Sequence, residues 1–192
     1  MDRLRHEIPS LYRKNDALEY INEFLEYKSE INGVGGLDKC LDDYEGWLKK
    51  LGNYRNMEPN EEKVPSDTYF LVRESDNRIV GMINIRRCLN ENLKRIGGHI
   101  GYSVRPTERR KGYNKINLYL GLMKCQEYGV KEAFLDCDKD NIASAKTMLA
   151  LGGKLVKEWY EDVHYKTVLQ DYIFDVDQVV EEYRDTYKEM IY

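Results

Sequence analysis

Residues 99–128 constrain this chain more than any other stretch, because a strand-like alternation passes into a helix-like apolar repeat through one short basic turn. His99-Ile100-Gly101-Tyr102-Ser103-Val104 alternates as a strand does, and Ile116, Leu120, Met123 and Tyr128 recur at helical spacing. Between them lies Arg105-Pro106-Thr107-Glu108-Arg109-Arg110-Lys111-Gly112-Tyr113-Asn114. The first N–H groups of a helix lack intrahelical partners and carry the positive end of the peptide dipoles, so a phosphate fits there. Gly112 lets the backbone approach an anion, and Arg109, Arg110 and Lys111 add full charges. Basic turns before helices are also common as solvated surface, so the strand–turn–helix context is what turns this run into a pyrophosphate cradle.

Around this junction the pattern alternates strands and helices. Ala17 to Tyr27 reads as a helix with Asp16 as N-cap, and Gly33, Gly35 and Gly36 break it. A second helix runs from Leu37-Asp38 through Leu41, Tyr44, Trp47, Leu48 and Leu51. A polar loop spans 53–65. Thr68 to Arg73 and Arg78 to Arg86 form a hairpin about Ser75-Asp76-Asn77, and Ile96 to Arg105 continues the sheet. Further strands are expected at Glu132–Asp138, Lys154–Asp162 and Lys166–Phe174, with a short helix at Asn141–Leu151. In the tail, 177–192, Val180, Tyr183, Tyr187 and Met190 or Ile191 share one helical face, which packs on the body or on another subunit, leaving a homodimer open. The expectation is one α/β domain over 1–192, a single mixed, mostly antiparallel sheet flanked by helices.

Length and composition agree. A chain of 192 residues, 42% hydrophobic and 33% charged, suits one globular domain, and no apolar run is long enough for a bilayer. The N-terminal residues lack a secretory apolar core, which reads as cytoplasmic. Cys40, Cys88, Cys125 and Cys137, like His6, His99 and His164, are too scattered for a metal motif or a disulfide framework, so no metal is expected. A net charge of −4 disfavours generic nucleic-acid binding.

Val104, Pro106, Arg109 and Gly112 match, at the right spacing, the pattern Val-x-Pro-x-x-(Arg/Gln)-x-x-Gly-x-(Gly/Ala) of the GNAT superfamily of acyl-CoA-dependent N-acetyltransferases. Asn114 stands where a small residue is usual. Asn141 to Gly153 is similar to that family's Asn-x-x-(Ala/Ser)-x-x-x-Tyr-x-x-x-Gly-Phe helix, with Met148 in the place of the tyrosine. The order of elements from Val64 to about Val168 is also the family's, and the whole chain resembles a bacterial branch of predicted acetyltransferases, the only group its first third resembles.

The resemblance implies a GNAT fold with acetyl-CoA as cosubstrate and direct transfer to a primary amine of an acceptor left open, small molecule or peptide. It implies that Tyr102, Ser103 and Val104 bracket the thioester through backbone groups. Arg109, Arg110, Lys111, Gly112, Tyr113 and Asn114 would grip the pyrophosphate, and Asn141 and Ser144 would meet the pantetheine arm. Residues 1–60 would form the acceptor side. A neutral amine needs a base, and His99, which shares a strand face with Gly101 and Ser103, is the leading candidate, with Asp136 second. Since methionine cannot donate a proton, Tyr160 or Tyr165 is a candidate acid for the departing thiolate. Each has a plainer reading: a structural histidine, a solvated carboxylate, and a helix cap for Asn141. A coenzyme-binding protein without transferase activity is the alternative.

Overall fold

The computed structural model describes residues 2–163 and 166–192. Its elements, in chain order, are β1 Leu4–Glu7, α1 Lys14–Glu26, α2 Tyr44–Asn56, β2 Ser66–Arg73, β3 Ile79–Arg86, α3 Glu91–Arg95 and β4 Ile100–Val104. There follow α4 Tyr113–Glu127, β5 Glu132–Asp138, α5 Ile142–Ala150, β6 Lys154–Glu161, β7 Thr167–Asp175 and α6 Val176–Tyr187.

Strand β2 shows why helices cover both faces of the first sheet. Its residues are buried on alternate sides: Tyr69 and Leu71 join the core beneath α4, whereas Phe70 and Val72 join the core beneath α1 and α2. Trp47, Tyr20, Phe24 and Tyr44 fill that second core and are fully buried, so the early aromatics pack rather than line a pocket. The larger core joins α4, α5 and α6 to the inner faces of β5 and β7. The tail helix therefore packs on the body, through Val176, Val179 and Val180 and a Tyr119–Tyr187 ring pair 4.8 Å apart.

Among the described residues the named strands pair antiparallel, in the orders β1-β2-β3-β4 and β5-β7-β6. The expected sheet is thus present in two parts that part company between β4 and β5, the strands flanking α4. At one end they are fastened: His99 N–H donates to Phe134 O (2.7 Å), and Phe134 N–H donates to His99 Nδ1 (3.0 Å). Gly98, in a left-handed conformation, lies so close to the Phe134 carbonyl that any Cβ would overlap it.

Two elements are added to the sequence pattern and others shift: the helix expected from Leu37 is a 3-10 turn at Leu37–Lys39 followed by α2 from Tyr44. Leu4–Glu7 is an edge strand on β2, too short to show periodicity, and α3 occupies part of a loop through the Asn90 cap on Leu93 N–H (3.0 Å). Helix α1 starts earlier than expected, out of a 3-10 turn, so Asp16 lies inside it and binds Arg13 (2.7 Å).

Candidate active site

The opening between β4 and β5 carries backbone groups that no strand covers. Arg105 N–H donates to Val80 O (2.9 Å) and Arg86 N–H to His99 O (2.7 Å), so the odd-numbered residues of β4 bond toward β3. By the alternation of an antiparallel pair, the N–H and C=O groups of Ile100, Tyr102 and Val104 turn toward the opening.

Beyond β4 the chain makes the basic turn and enters α4. Gly112 is the N-cap at φ +84°, in the left-handed region, and an added Cβ would meet nothing within 4 Å. Helices α2, α3, α5 and α6 are each capped by a side chain, Asp43, Asn90, Asn141 and Asp175. Helix α4 has no capping side chain and no acid in its first turn, so its N-terminal dipole faces open space.

The turn is braced from below. Arg105, 1% exposed, binds Ile79 O (3.0 Å), Glu19 (2.7 Å) and Glu23 (3.1 Å). Glu23 also accepts from Thr107 N–H and Oγ1, both at 2.8 Å. Buried Glu108 gathers Arg73 (2.7 Å), Arg78 (3.1 Å) and Lys111 (2.7 Å). The sequence reading missed this bracing, since only the fold brings 19, 23, 73 and 78 under 105–111.

The cradle residues divide by role. Arg110 is exposed at φ +65°, while Arg109 lies over the Phe24 ring (5.5 Å) and donates to Ser29 Oγ (2.7 Å). Lys111 is spent on Glu108. Tyr113 is buried, its hydroxyl bonded to Asp2 (2.5 Å) and Arg73 (3.1 Å), so it offers an anion only its N–H. Asn114 Nδ2 donates to Thr147 Oγ1 (3.3 Å), and its Oδ1 is buried without a partner.

On the walls of the opening, Tyr102 and Ser144 hydroxyls lie 2.7 Å apart, joining β4 to α5. Ser103 faces the other way: it accepts from Tyr20 O–H (3.0 Å) and donates to Asn32 O (2.5 Å), pinning the glycine loop after α1 onto β4. Asn141 Oδ1 caps α5 through Ser144 N–H (3.1 Å), which leaves its Nδ2 for another acceptor.

Of the residues put forward for proton transfer, His99 closes one end of the opening and Tyr160 lies away from it. His99 is the fastener of the sheets: Nδ1 accepts from Phe134, which puts the ring proton on Nε2, and burial lowers its pKa to about 4. Neither nitrogen is then ready to take a proton while the strands stay joined. Tyr160 lies on β6, two strands from the opening, and is 59% exposed. Tyr165 falls outside the described residues. Asp136 lies two residues along β5 from the fastener, with Oδ2 accepting from Gly97 N–H (2.5 Å). Burial raises its pKa, and Asp171, directly opposite on β7, adds to the rise. Among the described residues no cluster of three metal-ligating side chains occurs, and no helix is long and apolar enough to cross a membrane.

The sequence profile of the acetyltransferase (GNAT) family matches residues 21–152, a span holding the cradle, the opening and the α5 cap. The chain belongs to that family. Solved GNAT structures share its fold. The microcin C7 self-immunity acetyltransferase MccE, solved with acetyl-CoA and AMP, superposes with a TM-score of 0.64 at 17% identity, over 91% of this chain and 93% of that one. The protein yncA from Salmonella typhimurium, solved with its cofactor acetyl-CoA, gives 0.62 at 13% identity, over 91% and 95%. Mutant forms of the spermidine/spermine N-acetyltransferase SpeG from Vibrio cholerae give 0.62 at 7% identity, over 94% and 98%. Among curated protein sequences none matches significantly. In this GNAT chain the outward N–H groups of β4 thus run into the uncapped N-terminus of α4.

Proposed function

We propose that this GNAT protein moves an acetyl group from acetyl-CoA directly to a primary amine. One observation carries the reading: the uncapped N-terminus of α4, with open space over Gly112, continues the free edge of β4. A diphosphate held by the N–H groups of 110–114 would run its pantetheine along Tyr102 and Val104 toward the fastened end. Arg109 and Arg110 add charge at the mouth, and Asn141 Nδ2 is left to bind an amide carbonyl of the arm.

The amine attacks the thioester carbonyl without a covalent enzyme intermediate. N–H groups of β4 on the open side stabilise the oxyanion, and a fixed donor of this kind is worth about 3 kcal/mol. Asp136 takes the amine proton in place of His99, because its half-buried carboxylate has Gly97 N–H as hydrogen-bond donor and its raised pKa makes it a stronger base than an ordinary aspartate. The transferase is read as one unit, with residues 1–60 on the acceptor side through the 32–36 loop, acting in the cytoplasm.

The test is turnover. Purified protein is expected to be stabilised thermally by acetyl-CoA and to release CoA thiol with at least one member of a broad amine panel. Gly112→Trp places an indole where the diphosphate would sit and is expected to abolish the stabilisation while the apo-protein keeps its circular dichroism. Stabilisation without thiol release across the panel would favour a coenzyme-binding role, and undiminished binding by Gly112→Trp would remove the cradle.

A further inference from the structure

A cavity of about 350 Å³ adjoins the closed end of the opening, bordered by Arg87, Leu89, Lys94, His99, Tyr128 and Val130. That is room for a small organic molecule. Its lining carries two cations, an imidazole and, among the described residues, no carboxylate. His99 has spent three of its four polar groups: its N–H donates to Phe134 O, its C=O accepts from Arg86 N–H, and Nδ1 accepts from Phe134 N–H. The fourth, Nε2–H, has no partner among the described residues and is not sealed from solvent. Arg87 holds Asp67 through Nε (3.0 Å) and Nη2 (2.7 Å) over the Tyr128 ring, which leaves Nη1 for another acceptor. Asp67, 2% exposed, is also bound by Arg55 (2.5 Å), so one buried negative charge meets two guanidinium groups. Lys94 pairs with Glu91 on its own helix (2.7 Å), an exposed contact that a ligand can displace.

A cation is not what these groups await. The last carbonyls of α4, those of Lys124, Cys125 and Gln126, accept from Tyr128, Val130 and Gly129 N–H, so the negative end of its dipole is closed by its own chain. We propose that this cavity binds a small organic carboxylate, whose oxygens accept from His99 Nε2–H beside Arg87 and Lys94 and whose apolar body lies on Leu89 and Val130. The site is independent of the acetyl-CoA reading above. Its occupancy reaches the opening through one ring: an acceptor on Nε2–H makes Nδ1 a better acceptor in turn, so the Phe134 N–H bond that fastens β5 to β4 tightens.

Nuclear magnetic resonance of the full chain tests this, with benzoate, butyrate, inorganic phosphate and butylamine as probes. Benzoate and butyrate are expected to shift the His99 ring and Val130 methyl signals saturably and to move the Phe134 amide proton downfield, with phosphate weaker and butylamine without effect. Lys94→Glu should weaken benzoate binding about tenfold, and Leu89→Trp, which fills the cavity, should abolish it, both with the circular dichroism of the wild type. Should one variant fail to fold, the other carries the test. No saturable shift with either carboxylate overturns the site. Phosphate binding as tight as benzoate overturns the ligand class, and benzoate binding undiminished in the folded variants places the ligand elsewhere and overturns the proposal.

Discussion

A carboxylate becomes a useful base when burial raises its pKa by more than its donors and nearby cations lower it, and Asp136 is in that position: desolvation and its cross-strand neighbour Asp171 outweigh the Gly97 N–H bond and the charge of Arg86. Its ionised form is needed, so the rate is expected to fall as pH drops through its raised pKa. Asp136→Asn should keep CoA affinity, lose about 100-fold in kcat and flatten that acid limb of the pH–rate profile. An unchanged profile would return the base role to another group. His99→Ala has a different signature. It leaves Phe134 N–H without its acceptor and should cost on the order of 1–3 kcal/mol of stability by urea denaturation, with the pH–rate profile intact. The sequence could not separate these two residues. Alternation put His99 on a face with small neighbours, but the lone pair it spends belongs to a contact 35 residues away.

At the scale of elements, the junction of β4, the basic turn and α4 was legible because each piece has its own local signal: alternation, a glycine with positive φ, and helical spacing. Helix α5 was legible too, with Asn141 as its N-cap. That bond satisfies an otherwise orphaned amide, so Asn141→Ala is expected to lower stability by about 1 kcal/mol in a denaturant titration and to weaken CoA binding as well. A loss of stability without loss of affinity would make Asn141 a cap alone. What stayed hidden was non-local. Glu19, Glu23, Arg73 and Arg78 read as ordinary charged positions on a helix and a hairpin, yet they converge under the cradle. Strand β1 is only four residues long and gains its place from pairing with β2 and from Leu4 N–H bonding Met190 O (2.8 Å).

For the whole molecule, the α/β class follows from the succession of elements, whereas the order β5-β7-β6 does not follow chain order and the parting of the sheet is set by contacts that periodicity does not register. The same fastening makes the fold acid-sensitive. His6, on β1 and bonded through Nε2 to Asn117 Oδ1 of α4 (2.9 Å), has its pKa lowered by burial to about 4, as His99 does. The unfolded chain binds protons at both histidines near pH 6.5, the folded one near pH 4, so in that window the unfolded state holds more protons. Stability is therefore full above about pH 6.5 and declines as pH falls toward 4, which thermal melts across that range would show; His6→Gln should make the decline shallower. The parting of β4 from β5 has one more consequence, readable amide by amide. Along a single short strand, deuterium should enter at two tempos: slowly at Gly101, Ser103 and Arg105, whose N–H groups are locked against β3, and quickly at Tyr102 and Val104, until a ligand lying in the opening slows the fast pair alone.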